Sequence, residues 1–243
     1  MTDRQDALLA KHDGRYFSIG KFNTGLAMLT KAEKLGKKGH VDFGLPSSPA
    51  LFLNLARRSY VRIKDNDPAA MFYKWQNSHV PVNSSCLFDY FELFISHVVF
   101  SFSALEAFAN EAIPKEFEYE RNEGDQIKVI GKVEIERSVN LDEKLHVVLP
   151  RALDVKSPKG RKPWQRYKQL KTMRDRIIHL KTIDRSASDS NSESVWGLML
   201  RSHGEPFCDY AHTLMGHYTP TKNRRWFHEY PYKTIEPDRL FSE

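Results

Sequence analysis

Apolar side chains recur along this chain mostly at the three- and four-residue intervals of a helix face, and only one short stretch alternates as a strand does. Leu26, Leu29 and Ala32 or Glu33 fall at helical spacing before Gly36 and Gly39, which predicts a first helix over residues 22–37. The segment GHVDFGLPSSP is dense in breakers and reads as loop. Ser48 followed by Pro49 marks a helix start, carried on by ALFLNLARRSYVRIK. Asp67 and Pro68 mark another start, PAAMFYKWQNS, followed by the loop HVPVNSS and a central helix over residues 86–113 that Pro114 ends. Within that helix, Leu93 to Leu105 is the longest apolar stretch. Its 13 residues are too few to cross a bilayer core, so a buried core helix is predicted.

Residues 115–139 change character. They are strongly charged, and IKVI and VEIE alternate apolar and polar positions around Gly131, which predicts a small β-hairpin inserted between helices. Asn140, with Glu143 three residues on, makes a capping-box pattern for LDEKLHVVLP. SPKGRKP is loop, and Trp164 begins a helix predicted to run through WQRYKQLKTMRDRIIHLKTI. The following DRSASDSNSES is nearly all small or polar and reads as a mobile loop. SVWGLMLRSH and PFCDYAHTLMGHY complete the helical part, with Pro206 suited to a first turn. Beyond Pro220 an extended tail is expected. No βαβ alternation appears, so the predicted fold is an all-α single domain: a core at about 86–218, an N-terminal helical extension over 1–85 and a tail over 219–243.

Fifteen Phe, ten Tyr and four Trp imply a large aromatic core and exclude a chain disordered throughout. The formal charge of +6 favours a polyanionic partner over an acidic small molecule. Cys86 and Cys208 are too few and too far apart for a disulfide framework or a zinc pattern, and read as buried, reduced thiols of a cytoplasmic protein. The acidic N-terminus lacks the apolar stretch of a secretory signal, and no membrane association is expected. His203, His212 and His217 are spaced by nine and five, which suits no common metal motif. No Gly-rich phosphate loop, H-E-x-x-H or G-x-S-x-G occurs, and no cofactor is implied.

Candidate chemistry concentrates in Met173-Arg174-Asp175-Arg176-Ile177-Ile178-His179-Leu180. On a helix, Met173, Ile177 and Leu180 share an apolar face that anchors the segment. Asp175 and His179 lie one turn apart, where a carboxylate can orient an imidazole. Arg174 and His179 are separated by roughly 140° around the axis and flank one edge, so they act jointly only where a cleft runs along it. A solvated face for Arg174 and Asp175, with a core-edge role for His179, is the alternative. The stretch from Lys156 to Lys171 holds seven cations and reads either as a phosphate-tracking surface or as a solvated basic face. The tail Asn223–Tyr232 interleaves bases and aromatics as single-strand binders do, although docking of the aromatics on the body is the preferred reading.

Arg-x4-His with an acid after the Arg, on a late helix, resembles the R-x4–6-H signature of the HEPN superfamily. The earlier helix segment Ser103–Glu111, with Glu106 and Asn110 on one face, resembles that family's core helix. The resemblance covers residues 86–183 and implies a HEPN-like helical bundle with metal-independent endoribonuclease chemistry. In that scheme the RNA 2′-OH attacks the adjacent phosphate and leaves a 2′,3′-cyclic phosphate. Arg174 would clamp the phosphate, and His179 would act as general acid or base. Asp175 or Asn110 would fix the imidazole, Glu106 would hold the Arg174 fork, and Lys168, Lys171 and Arg176 would contact RNA. The resemblance further implies a homodimer through the Arg174–His179 helix, a toxin or anti-phage role, and an antitoxin or other regulatory partner. A non-catalytic module binding nucleotide, RNA or protein with the same cleft stays open, as does a structural dimerisation role.

Overall fold

The computed structural model describes residues 13–19, 27–36, 39–65, 84–124, 126–185, 193–218 and 224–232. The architecture is mainly helical, with small antiparallel hairpins. At the N-terminal side β1 (Ser18–Ile19) pairs with β2 (Ala27–Met28), and β3 (Thr30–Leu35) pairs with β4 (Gly39–Gly44), Thr30 facing Gly44 and Leu35 facing Gly39. The helix expected over residues 22–37 is thus corrected to strand in its described part, residues 27–36. Every residue of β3, TKAEKL, is exposed, so a helix there would have no core on which to bury a face, and ladder pairing decides the local structure. Gly36, at φ 61, supplies the left-handed residue between the strands.

The helix α1 (Ser48–Asp65) starts where Ser48-Pro49 sets it and buries Ala50, Leu53, Ala56, Tyr60 and Ile63 at helical spacing. It lies along α2 (Ser84–Ala112), the central helix, whose Phe94, Val98, Leu105 and Ala109 are sealed. The hairpin expected within residues 115–139 is present as β5 (Glu118–Glu123) and β6 (Gln126–Gly131), but its turn falls at Gly124, which takes a positive φ of 65. VEIE lies instead on α3 (Lys132–Ser138), where Ile135 reaches the core and Val133 stays exposed.

Three consecutive helical pieces, Leu141–Glu143, Lys144–Val148 and Leu149–Ala152, form one rod, α4. Asn140 caps it: its Oδ1 accepts from the Glu143 N–H at 2.9 Å, and its amide nitrogen donates to the Glu143 carboxylate at 3.3 Å. The middle piece is a widened turn in which the Leu149 N–H bonds the Lys144 carbonyl.

Next comes α5 (Lys162–Ile178), with Pro163 in its first turn and Tyr167, Leu170, Met173 and Ile177 buried. It stops five residues short of the expected end at Ile183. The physical reason is Asp184. Its buried carboxylate accepts from the backbone N–H of Lys181 at 2.7 Å, from that of Val195 at 2.7 Å and from Arg176 at 2.9 Å, which draws the chain off the helix axis.

The remaining helices are α6 (Val195–Arg201), capped by Ser194, α7 (Phe207–Met215) and the short α8 (Arg225–His228). Around α8 the tail docks on the body: Trp226 is buried, Tyr230 donates to Asp209 at 3.0 Å, and Phe227 and Tyr230 both stack on His212. By length and composition α2 could span a membrane, but half of its apolar stretch, Phe94, Val98 and Leu105 included, is buried inside the fold. The helix read from Asp67, residues 79–83 of the loop after it, residues 186–192 of the polar stretch and the tail beyond Tyr232 lie outside the described residues.

At the crossing of α1, α2 and α7 sits His97, fully buried. Its Nδ1 lies 3.0 Å from the Ala56 carbonyl, and its Nε2 accepts from the Phe207 N–H at 3.1 Å. Its Nε2 also lies 3.2 Å from the Glu205 carbonyl, so each ring nitrogen has a backbone oxygen within hydrogen-bond reach. Burial pushes its pKa down to about 4.

Candidate functional site

Burial of Tyr167, Leu170 and Met173 leaves the neighbouring strip of α5, Lys171, Arg174 and Asp175, turned toward α2. On α2, Phe102, Glu106 and Asn110 follow each other at intervals of four and share one face. These two strips, with Glu136 of α3 and Lys144 of α4, line a pocket of about 410 Å³. Residues far apart in sequence, Arg174 and Asp175 with Glu106 and Asn110, are therefore brought together.

Their pairing differs from that expected. The Arg174 guanidinium lies 4.6 Å from the centre of the Phe102 ring and donates to its neighbour Asp175 at 3.0 Å. Asp175 is thus engaged with Arg174 and not with His179. Glu106 lines the pocket but makes no ion pair with Arg174. Asn110 accepts from the Lys144 ammonium at 2.9 Å instead of holding an imidazole.

His179 lies elsewhere. It follows the last residue of α5, with φ −113 and ψ 76, and only its backbone N–H continues the helical pattern, to the Asp175 carbonyl at 2.9 Å. Its exposed imidazole is not among the pocket-lining groups, and it is flanked by the exposed Ile178 and Leu180.

The three further cations divide in the same way. Lys168 and Lys171 both donate to Asp142 at 2.9 Å, and the Tyr167 hydroxyl donates to the same carboxylate. Burial pushes the Asp142 carboxyl up, but these three hydrogen bonds outweigh it and hold the group at about 2. Lys171 still borders the pocket. Arg176 points to the other side of α5, where it bonds Asp184 and the Glu193 carbonyl. Of the two thiols, Cys86 is exposed, which corrects the expectation of burial. Cys208 is buried and its pKa is raised to about 11 by desolvation. His212 is stacked in the tail contact, and the His217 ring bonds the Lys156 carbonyl.

Sequence reasoning missed Lys144, although a signal existed. Leu141, Lys144 and Val148 are spaced by three and four, so the lysine occupies an apolar position of its helix. Asp142, which ties α4 to α5, carried no such mark.

The chain matches no protein-family model, no curated protein and no solved structure.

Proposed function

We propose that this protein is a HEPN-like, metal-independent endoribonuclease, acting as a toxin or anti-phage effector. The observation that carries the reading is the meeting of Arg174 and Asp175 with Glu106 and Asn110 in one solvent-reachable pocket. A guanidinium held over an aromatic ring, with part of its fork still unengaged, suits the oxygens of a phosphodiester. In the proposed step the 2′-oxygen attacks phosphorus as its proton passes to a base. The bond from phosphorus to the 5′-oxygen breaks, and that oxygen takes a proton from an acid. Arg174 neutralises the charge gathered on the phosphorane. Histidine as a residue type is suited to the proton transfers.

Because His179 stands outside the pocket of its own chain, the reading requires a second copy, packed on the exposed Ile178 and Leu180, to bring an imidazole to the phosphate. That same position favours the second reading, a non-catalytic module that binds nucleotide or RNA in the pocket. RNA cleavage in the presence of EDTA separates the two. Wild type is expected to leave 2′,3′-cyclic phosphate ends, with Arg174→Ala and His179→Ala each slower by about a hundredfold or more at unchanged melting temperature and dimer mass. RNA binding without cleavage would establish the second reading. Cleavage undiminished in either variant would remove that residue from the mechanism.

A further inference from the structure

Lys144 is the deepest charge in the pocket, only 6% exposed, while its helix neighbours Leu145, Val148 and Leu149 are sealed in the core. Removing an ammonium from water is costly unless its three donors are met. Two are met, both by neutral oxygens: the Asn110 side-chain carbonyl at 2.9 Å and the Glu136 backbone carbonyl at 2.9 Å. Glu106 and Glu136 act on the ammonium through their field, without an ion-pair contact among the described residues.

Packing alone does not explain the charge, since an apolar side chain of similar length would fill this space more cheaply. The third donor is left to the pocket that Lys144 lines with Glu106 and Arg174. The residue also opens the widened turn of α4, a backbone form that concentrates at functional sites.

We propose that Lys144 contacts the phosphate directly, its third N–H and the Arg174 fork gripping the non-bridging oxygens of one phosphodiester in the pocket. This rests on the RNA reading of the same pocket and adds a residue to it. Asn110 then becomes a positioning residue, holding an ammonium where the family resemblance had it holding an imidazole. The arrangement differs from a surface lysine because the side chain is already fixed on two sides, so it loses little freedom when the anion arrives.

The test is binding of a 2′-O-methyl oligoribonucleotide, which cannot be cleaved by 2′-oxygen attack, between about 50 and 200 mM salt. Lys144→Gln keeps donors for its partners while losing the charge, and Lys144→Met removes both. Each is expected to weaken binding about tenfold and to flatten the dependence of log affinity on log salt by about 0.7. Variants that fold and bind like wild type, while Arg174→Ala binds weakly, would overturn the role of Lys144 and leave the RNA reading standing. Should wild type bind no oligoribonucleotide, the RNA reading falls by itself. In that case, or if neither variant folds, acylation of wild-type Lys144 with and without inorganic phosphate decides. Protection by phosphate upholds the contact, and equal labelling rejects it.

Discussion

His97 and Glu111 both lie on α2 and both are deprived of water, yet burial acts on them with opposite sign. His97 is held neutral with its pKa near 4, so the stability it contributes is present above 6.5 and lost as pH falls toward 4, about 3 kcal/mol in all. Burial raises the Glu111 carboxyl to about 7, against Arg224, Ser47, Lys132 and Trp226, which favour the anion. Its contribution is therefore present below 4.5 and lost as pH rises through 7, again about 3 kcal/mol. Across pH 4.5 to 6.5 the two slopes oppose each other, and His212, also pushed down by burial, adds to the histidine side. The urea midpoint of wild type is expected to change little over this window. Glu111→Gln should unmask a loss of stability in acid, and His97→Gln a gain, on top of whatever each substitution costs at neutral pH. Parallel pH slopes in the two variants would refute the opposition.

Caps and turns show how far an element is written in its own residues. Asn140→Ala should lower stability by about 1 kcal/mol in urea unfolding, because the Glu143 N–H loses its acceptor. That cap was legible, as were the Pro49 start of α1, the extent of α2 and the presence of a hairpin before α3. What was not legible depended on partners distant in sequence. TKAEKL has the composition of a helix and becomes strand because β4 pairs with it and no core faces it. The end of α5 is set by Asp184, whose ligands come from three separate segments, and nothing within LKTI announces a stop. For the candidate site, the Arg174, Glu106 and Asn110 strips could be read from spacing, since each is a helix face. The displacement of His179 follows from where α5 ends and so could not. Asp184→Ala should cost about 3 to 5 kcal/mol, as the partly buried Arg176 guanidinium and two N–H groups lose their acceptor; a stability loss under about 1 kcal/mol would reject this account.

At the scale of the whole molecule, the two ends of the described chain meet. Gly14 packs so closely against the Glu229 side chain that a Cβ would fall 2.0 Å from its carboxylate, and Glu229 is paired in turn with the buried Arg225. Trp226 beside it is nearly sealed, so Trp226→Ala is expected to lose about 4 kcal/mol in chemical denaturation. Two cations of the basic stretch are already engaged, because Asp142 occupies the ammonium groups of both Lys168 and Lys171. An incoming polyanion meets a resident competitor there, one that stays ionised down to about pH 2. The same carboxylate that fastens α4 to α5 would thereby compete with a polyanion for these two ammonium groups. A protein relieved of it, as in Asp142→Asn, would grip polyanions harder while standing up less well to heat.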